Sequence, residues 1–152
     1  TYKNGYNGDA ARTHIVGNGS KEDKKLVEVT RQAFFEGIKF AKPGYRIGDI
    51  SNAIAEYVWK NGFDVVREFQ GHGIGREMHE DPSVPNYGKK GTGIRLKKGM
   101  TIAIEPMINA GGREVKRLAD KWTVVTADQS LSAHFEHTVL ITADGPVIMT
   151  KA

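Results

Sequence analysis

The chain is organised around a glycine- and histidine-rich stretch, which reads Gly71-His72-Gly73-Ile74-Gly75-Arg76-Glu77-Met78-His79-Glu80-Asp81-Pro82. This pattern is poor for a helix and for a plain strand. Glycines let the backbone adopt conformations closed to residues with a Cβ, and they leave the imidazole of His72 unshielded. An exposed imidazole on a rigid turn is suited to bind a metal ion or a substrate carbonyl. A glycine-rich loop with two surface histidines is the alternative interpretation.

The composition sets the class of protein and the kind of site it can hold. A length of 152 residues fits one domain, and 22 Lys and Arg against 18 Asp and Glu give a mild formal charge of +4. With no cysteine in the chain, a metal ion would have to be held by histidines and carboxylates. No apolar run approaches the length of a membrane span and no signal-peptide pattern opens the chain, so we expect a soluble, cytoplasmic protein without a membrane partner.

The densest basic patch lies in a glycine-rich connection and comprises Lys89, Lys90, Arg95, Lys97 and Lys98. A solvated loop accounts for such a patch. A contact with a phosphate backbone, for instance that of ribosomal RNA, is the alternative, so ribosome association stays open.

Hydrophobic periodicity predicts two helices followed by strands. The first helix opens at Ser20, with Asp23 in a capping-box position, and runs to Lys42-Pro43-Gly44; the second runs from about Ile47 to Asn61. The strands are predicted at 6–16, 64–69, 100–105, 114–118, 122–126, 133–142 and 146–150. Helices followed by strands favour an α+β fold, with the helices packed on one face of a curved antiparallel sheet.

The beginning of the chain is abrupt. Asn4-Gly5 predicts a hairpin turn, but only three residues precede it and none is an initiator Met. We therefore expect a polypeptide that extends upstream. The unpaired edge at residues 1–3 would also favour self-association.

Three acidic residues lie within or beside predicted strands, where an unpaired charge would be costly. They are Asp9, Glu105 and Glu136. Each alone could form a salt bridge with an arginine or lie on a wet sheet face. Carboxylates that converge on the imidazole of His72 would need a cation, and this donor set suits Mn, Fe, Co or Zn.

Several motifs in order carry a specific resemblance. They are Asn4 to Asp9, Gly71 to Gly75 with His79-Glu80-Asp81-Pro82, Ile104-Glu105-Pro106-Met107, Trp122 to Thr126, and Ser130 to Thr138. Over essentially its whole length the chain resembles type I methionine aminopeptidases of the bacterial kind. The resemblance implies the pita-bread fold of two pseudo-symmetric α+β halves. It also implies that residues 1–152 form a single metallopeptidase catalytic domain that lacks its N-terminal half.

The same resemblance implies roles for individual residues. Asp9, His72, Glu105 and Glu136 would be metal ligands, with Asp9 and Glu136 shared between two divalent ions such as Co, Mn, Fe or Zn. Glu105 and His79 would be catalytic, and His79 would also contact the substrate. Phe69, Met78 and Trp122 would line the pocket for the methionine side chain. The family's remaining aspartate ligand would precede residue 1, which would leave one intact metal position.

The implied reaction is removal of the initiator methionine from nascent chains by a metal-activated hydroxide. We expect weak or absent activity from the isolated chain, restored by the missing half. Two alternatives stay open: a prolidase-like peptidase for Xaa-Pro bonds, and a non-catalytic pita-bread module associated with the ribosome or RNA.

Overall fold

The computed structural model describes residues 1–151. The helices are α1 (Lys21–Ile38) and α2 (Ile47–Lys60). The strands are β1 (Tyr2–Lys3), β2 (Tyr6–Asn7), β3 (Ala10–Arg12), β4 (Asp64–Val65), β5 (Gly71–Gly73), β6 (Glu80–Val84), β7 (Thr101–Ile104), β8 (Met107–Asn109), β9 (Val115–Arg117), β10 (Val124–Thr126), β11 (Ser132–Thr142) and β12 (Gly145–Ile148). All strand pairs among these residues are antiparallel. The predicted α+β fold is confirmed.

The helices begin where the sequence predicts. The Ser20 hydroxyl accepts a hydrogen bond from the Asp23 N–H at 3.1 Å, and the Asp23 carboxylate accepts one from the Ser20 N–H at 2.7 Å, which confirms the capping box. Helix α2 ends before Gly62, whose φ of +82° suits the glycine there. Helix α1 ends at Ile38, earlier than predicted, because the next N–H groups bond three residues back in a tighter turn.

Strand β11 is the centre of the main sheet, whose order is β4-β8-β11-β7-β5-β6, with β3 and β12 also paired to β11. Its side chains alternate between the two faces. The rings of Phe135 and His137 each lie 5.4 Å from that of Phe34 on α1. His134 and Glu136 therefore project from the opposite face of the sheet.

The glycine-rich stretch differs from its prediction, because Gly71-His72-Gly73 is strand β5, paired with both β6 and β7. None of Gly71, Gly73 and Gly75 has a positive φ. Close packing explains the first two glycines instead. A Cβ on Gly71 would lie 2.2 Å from the Ala103 carbonyl oxygen, and one on Gly73 would lie 2.2 Å from that of Asp81.

Gly73→Ala should therefore destabilise the protein, because the new methyl group would meet rigid backbone. We expect a loss of about 1–3 kcal/mol or more in the free energy of unfolding, the range for overpacked sites. Urea denaturation followed by circular dichroism measures it. Gly8→Ala is the matched control, since its Cβ would make an ordinary 3.7 Å contact with Thr150. Equal denaturation midpoints for both variants would contradict this explanation of β5.

The predicted strand at 6–16 is interrupted. The hairpin of β1 and β2 turns at Asn4 and Gly5, with φ values of +53° and +85°, as the Asn-Gly pair predicts. Gly8 and Asp9 then separate β2 from β3. Among residues 1–151, neither helix is long and apolar enough to cross a membrane.

Candidate metal centre

The four predicted ligands come from four separate parts of the sheet. Asp9 precedes β3, His72 is the middle of β5, Glu105 follows β7, and Glu136 lies on β11. Strand β11 pairs with both β3 and β7 close to Glu136, which brings the neighbouring acids to it. Donor atoms of Asp9, His72 and Glu136 lie within 4.8 Å of one another.

His72 presents one nitrogen to this cluster. Its Nδ1 lies 2.8 Å from the Gly73 carbonyl oxygen; because a carbonyl only accepts, Nδ1 carries the proton. In the neutral ring Nε2 then has a free lone pair, and it faces Glu105 Oε1 at 3.5 Å. Two acceptors that face each other need a cation or a proton between them. The hydrogen bond from Nδ1 to a backbone carbonyl is typical of metal-binding histidines.

The burial of His72 corrects one expectation. The sequence predicts an unshielded imidazole, but the residue is only 8% exposed. The flanking glycines let β6 and β7 approach closely on both sides of β5.

Glu136 is the most deeply buried acid of the cluster, at 3% exposure. Its Oε1 has no hydrogen-bond partner among the described residues. Burial, followed by the charges of Glu105 and Asp9, raises the pKa of Glu136 from 4.5 to about 8. Such a carboxylate needs a counter-charge to ionise at neutral pH.

His134 belongs to the same site, and the sequence analysis missed it. Its Nε2 lies 3.5 Å from Glu105 Oε2 and 4.0 Å from Glu136 Oε2, and these three residues form a second group of converging donors. The sequence does carry a signal for it. His134 lies two residues before Glu136 in the same predicted strand, and residues two apart on a strand share a face.

Thr138, on that face as well, holds Asp9 in position. Its hydroxyl accepts a hydrogen bond from the Asp9 N–H at 2.9 Å and lies 3.0 Å from the Asp9 carbonyl oxygen. The Thr138 N–H also donates to that carbonyl, at 3.1 Å. The Asp9 backbone is thereby fixed beside the cluster, and one carboxylate oxygen, Oδ1, accepts a hydrogen bond from the Ala10 N–H at 3.0 Å.

The donor set fits a divalent metal ion. It combines carboxylate oxygens and imidazole nitrogens, which Mn, Fe, Co and Zn accept. Two buried donor atoms, Glu136 Oε1 and His134 Nε2, have no partner in the described part of the chain. A cation would satisfy both atoms and neutralise the gathered acids.

The predicted substrate residues are only partly brought together. The rings of His79 and His72 lie 4.3 Å apart, and both histidines and Phe69 line an open pocket of about 540 Å³. Phe69 also lines a larger apolar pocket of about 680 Å³ beside β9 and β10. Met78 and Trp122 line neither pocket; Trp122 is 87% exposed in the connection between β9 and β10.

The chain is similar in sequence and in structure to methionine aminopeptidases. The chain is 56% identical over 148 residues to methionine aminopeptidase 1 of Bacillus subtilis, covering 97% of this chain and 60% of that protein. The structure matches the crystal structure of a methionine aminopeptidase from Thermotoga maritima with a TM-score of 0.96 at 54% identity, over 98% of this chain and 60% of that one.

A prolidase from Pyrococcus furiosus shares the fold, with a TM-score of 0.76 at 29% identity over 98% of this chain and 38% of that one. The implied pita-bread fold is thus confirmed, and the chain spans about 60% of the length of the methionine aminopeptidases it matches. Metallopeptidase family M24 matches residues 1–143, and the chain therefore belongs to that family.

Proposed function

We propose that this chain supplies the metal-binding part of a methionine aminopeptidase, a metal-dependent enzyme that removes N-terminal methionine from peptides and nascent chains. The observation that carries the proposal is the convergence of Asp9, Glu105 and Glu136 with the Nε2 atom of His72. Similarity to methionine aminopeptidases over 97% of the chain supports the substrate class. The native metal would come from Co, Mn, Fe and Zn.

In this proposal Asp9, His72, Glu105 and Glu136 hold the metal centre. A divalent ion bound there supplies Lewis-acid chemistry, which acidifies water and polarises a carbonyl group. Glu136 and Asp9 contribute negative charge, and the hydrogen bond from His72 Nδ1 to Gly73 keeps Nε2 directed into the site.

Glu105 is the proposed general base. Its side chain is 14% exposed, so water can reach it, and its two oxygens face different imidazoles. It would take a proton from the attacking water and deliver it to the leaving amine.

His79 is the proposed donor to the substrate carbonyl. It is exposed at the pocket beside His72, where its ring N–H can stabilise the negative charge that develops on the carbonyl oxygen. Phe69 lines the same pocket and would contact the methionine side chain, since thioethers pack well against aromatic rings. Met78 and Trp122 stay predicted pocket residues.

The test is methionine release from Met-Ala-Ser, with Ala-Pro as the rival substrate and Mn or Co as the metal. Because the chain spans about 60% of the Bacillus subtilis relative, we would assay it alone and as a replacement for the matching 148 residues of that relative. We expect the chimera to cleave Met-Ala-Ser and not Ala-Pro. A folded chimera that cleaves only Ala-Pro would favour the prolidase alternative, and one without peptidase activity would favour the non-catalytic module.

A further inference from the structure

We propose that His134 is itself a metal ligand, which joins Glu105 and Glu136 through Nε2 in a second metal position beside the one formed by Asp9, His72 and Glu136. The inference rests on the metal-dependent function proposed above and adds a ligand to it. Glu136 would be common to both positions.

The separations at His134 suit a shared ion better than direct hydrogen bonds. An N–H···O hydrogen bond is about 2.7–3.2 Å long, whereas His134 Nε2 lies 3.5 Å from Glu105 Oε2 and 4.0 Å from Glu136 Oε2. Metal bonds of about 2.1 Å at tetrahedral angles would place two donor atoms about 3.4 Å apart. The distance from His134 Nε2 to Glu105 Oε2 is close to that value. A small side-chain rotation would shorten the distance from His134 Nε2 to Glu136 Oε2 to the same value.

Burial provides the second, independent observation. His134 Nε2 and Glu136 Oε1 are buried and have no hydrogen-bond partner among residues 1–151, and the Glu136 side chain is only 4% exposed. Buried polar atoms without partners are rare in proteins and call for an explanation. One cation bound beside Glu105 would interact with both His134 Nε2 and Glu136 Oε1.

Strand geometry fixes His134 for this role. His134 and Glu136 share one face of β11, and the His134 backbone is held by Thr13, whose hydroxyl donates to the His134 carbonyl at 3.0 Å. The His134 N–H lies 2.8 Å from the same hydroxyl. The backbone that carries the imidazole is therefore fixed within the sheet, and functional sites built on strands are held more precisely than sites on loops.

A nitrogen ligand from His134 would change which metal ions this position prefers. A position made only of carboxylates suits Mg or Mn, while an added imidazole favours Zn, Fe, Co or Ni. His134 should therefore raise the preference of this site for zinc over manganese.

Histidine NMR on the isotopically labelled, metal-free chain, titrated with zinc, tests the ligand directly. We expect zinc to move the ring-nitrogen shifts of both His72 and His134 to metal-bound values, and to leave the exposed His14 unchanged. Assignment of the backbone resonances identifies which ring signal belongs to which histidine, so this experiment needs no variant. If His72 responds and His134 does not, the His134 inference is overturned while the proposed function stands. If neither responds, both fail.

Competition between zinc and manganese gives the second readout. His134→Gln should weaken zinc binding at one position by at least about tenfold, the scale for losing even an outer partner of a ligand, and should affect manganese less. His14→Gln is the matched control and should bind both metals as the wild type does. Equal zinc affinity in the two variants would overturn the inference.

Discussion

Glu105→Gln should lower methionine release by about 10²–10⁴-fold, the contribution typical of a positioned general base. The glutamine amide keeps the shape of the side chain and an oxygen that can still bind a metal, but that oxygen does not accept a proton at neutral pH. The measurement is kcat per bound metal in the chimera with the Bacillus subtilis relative, at saturating Mn or Co. Normalising to bound metal separates lost proton transfer from lost ligation.

Glu28→Gln is the control for Glu105→Gln. Glu28 lies on the exposed side of α1, paired with Arg31 at 2.8 Å and remote in sequence from every proposed ligand. The control should retain wild-type kcat. If Glu105→Gln also retains wild-type kcat with its metal bound, Glu105 is not the base.

Glu105 and Glu136 could be predicted as site residues because each of them breaks an apolar pattern. Glu105 ends the run Thr101 to Ile104, and Glu136 lies within a buried strand. A charge in such a place needs a partner, and the sequence contains one histidine flanked by glycines in the same region. Burial therefore predicts that Glu105 and Glu136 need partners, and the resemblance to methionine aminopeptidases is what implies the ligand set of Asp9, His72, Glu105 and Glu136.

His134 and the course of β5 could not be predicted in the same way. Spacing places His134 on the same face of β11 as Glu136, but a histidine on the less apolar face of a strand is ordinary. Its short distances to Glu105 and Glu136 and its buried Nε2 without a partner among the described residues distinguish it. The glycines of β5 look like loop residues until the neighbouring carbonyls of Ala103 and Asp81 are in place. Both features depend on contacts between elements distant in sequence.

Trp122 illustrates a further limit. The sequence predicts a strand that begins at Trp122, but β10 begins at Val124 and leaves Trp122 in the connection from β9. Strands β9 and β10 form a separate two-stranded ribbon outside the main sheet. The backbone N–H groups of Trp122 and Thr123 both donate to Asp120 Oδ1, and the Trp122 side chain is exposed. Its role in a methionine pocket stays a prediction.

Glu136→Gln should stabilise the metal-free protein at neutral and mildly alkaline pH. The folded state raises the pKa of Glu136 from 4.5 to about 8 because the carboxyl is buried beside Glu105 and Asp9. The folded protein thus holds this proton more tightly than the unfolded chain does. The stability that the protonated carboxyl contributes is complete below pH 4.5 and is lost progressively as pH rises to about 8. By linkage the wild type should lose about 4 kcal/mol across that interval relative to the glutamine variant, which has no such proton.

Urea denaturation in EDTA at several pH values between 5 and 8 measures the difference between Glu136→Gln and the wild type. Effects of other titrating groups are common to both proteins and cancel in that difference. Glu56→Gln, an exposed substitution on α2, should follow the wild type at every pH. Saturating zinc should reverse the order, because the ion would bind more tightly to the protein with an ionisable Glu136 and so stabilise it more. Parallel curves for Glu136→Gln and the wild type without metal would mean that the buried carboxyl finds its counter-charge elsewhere.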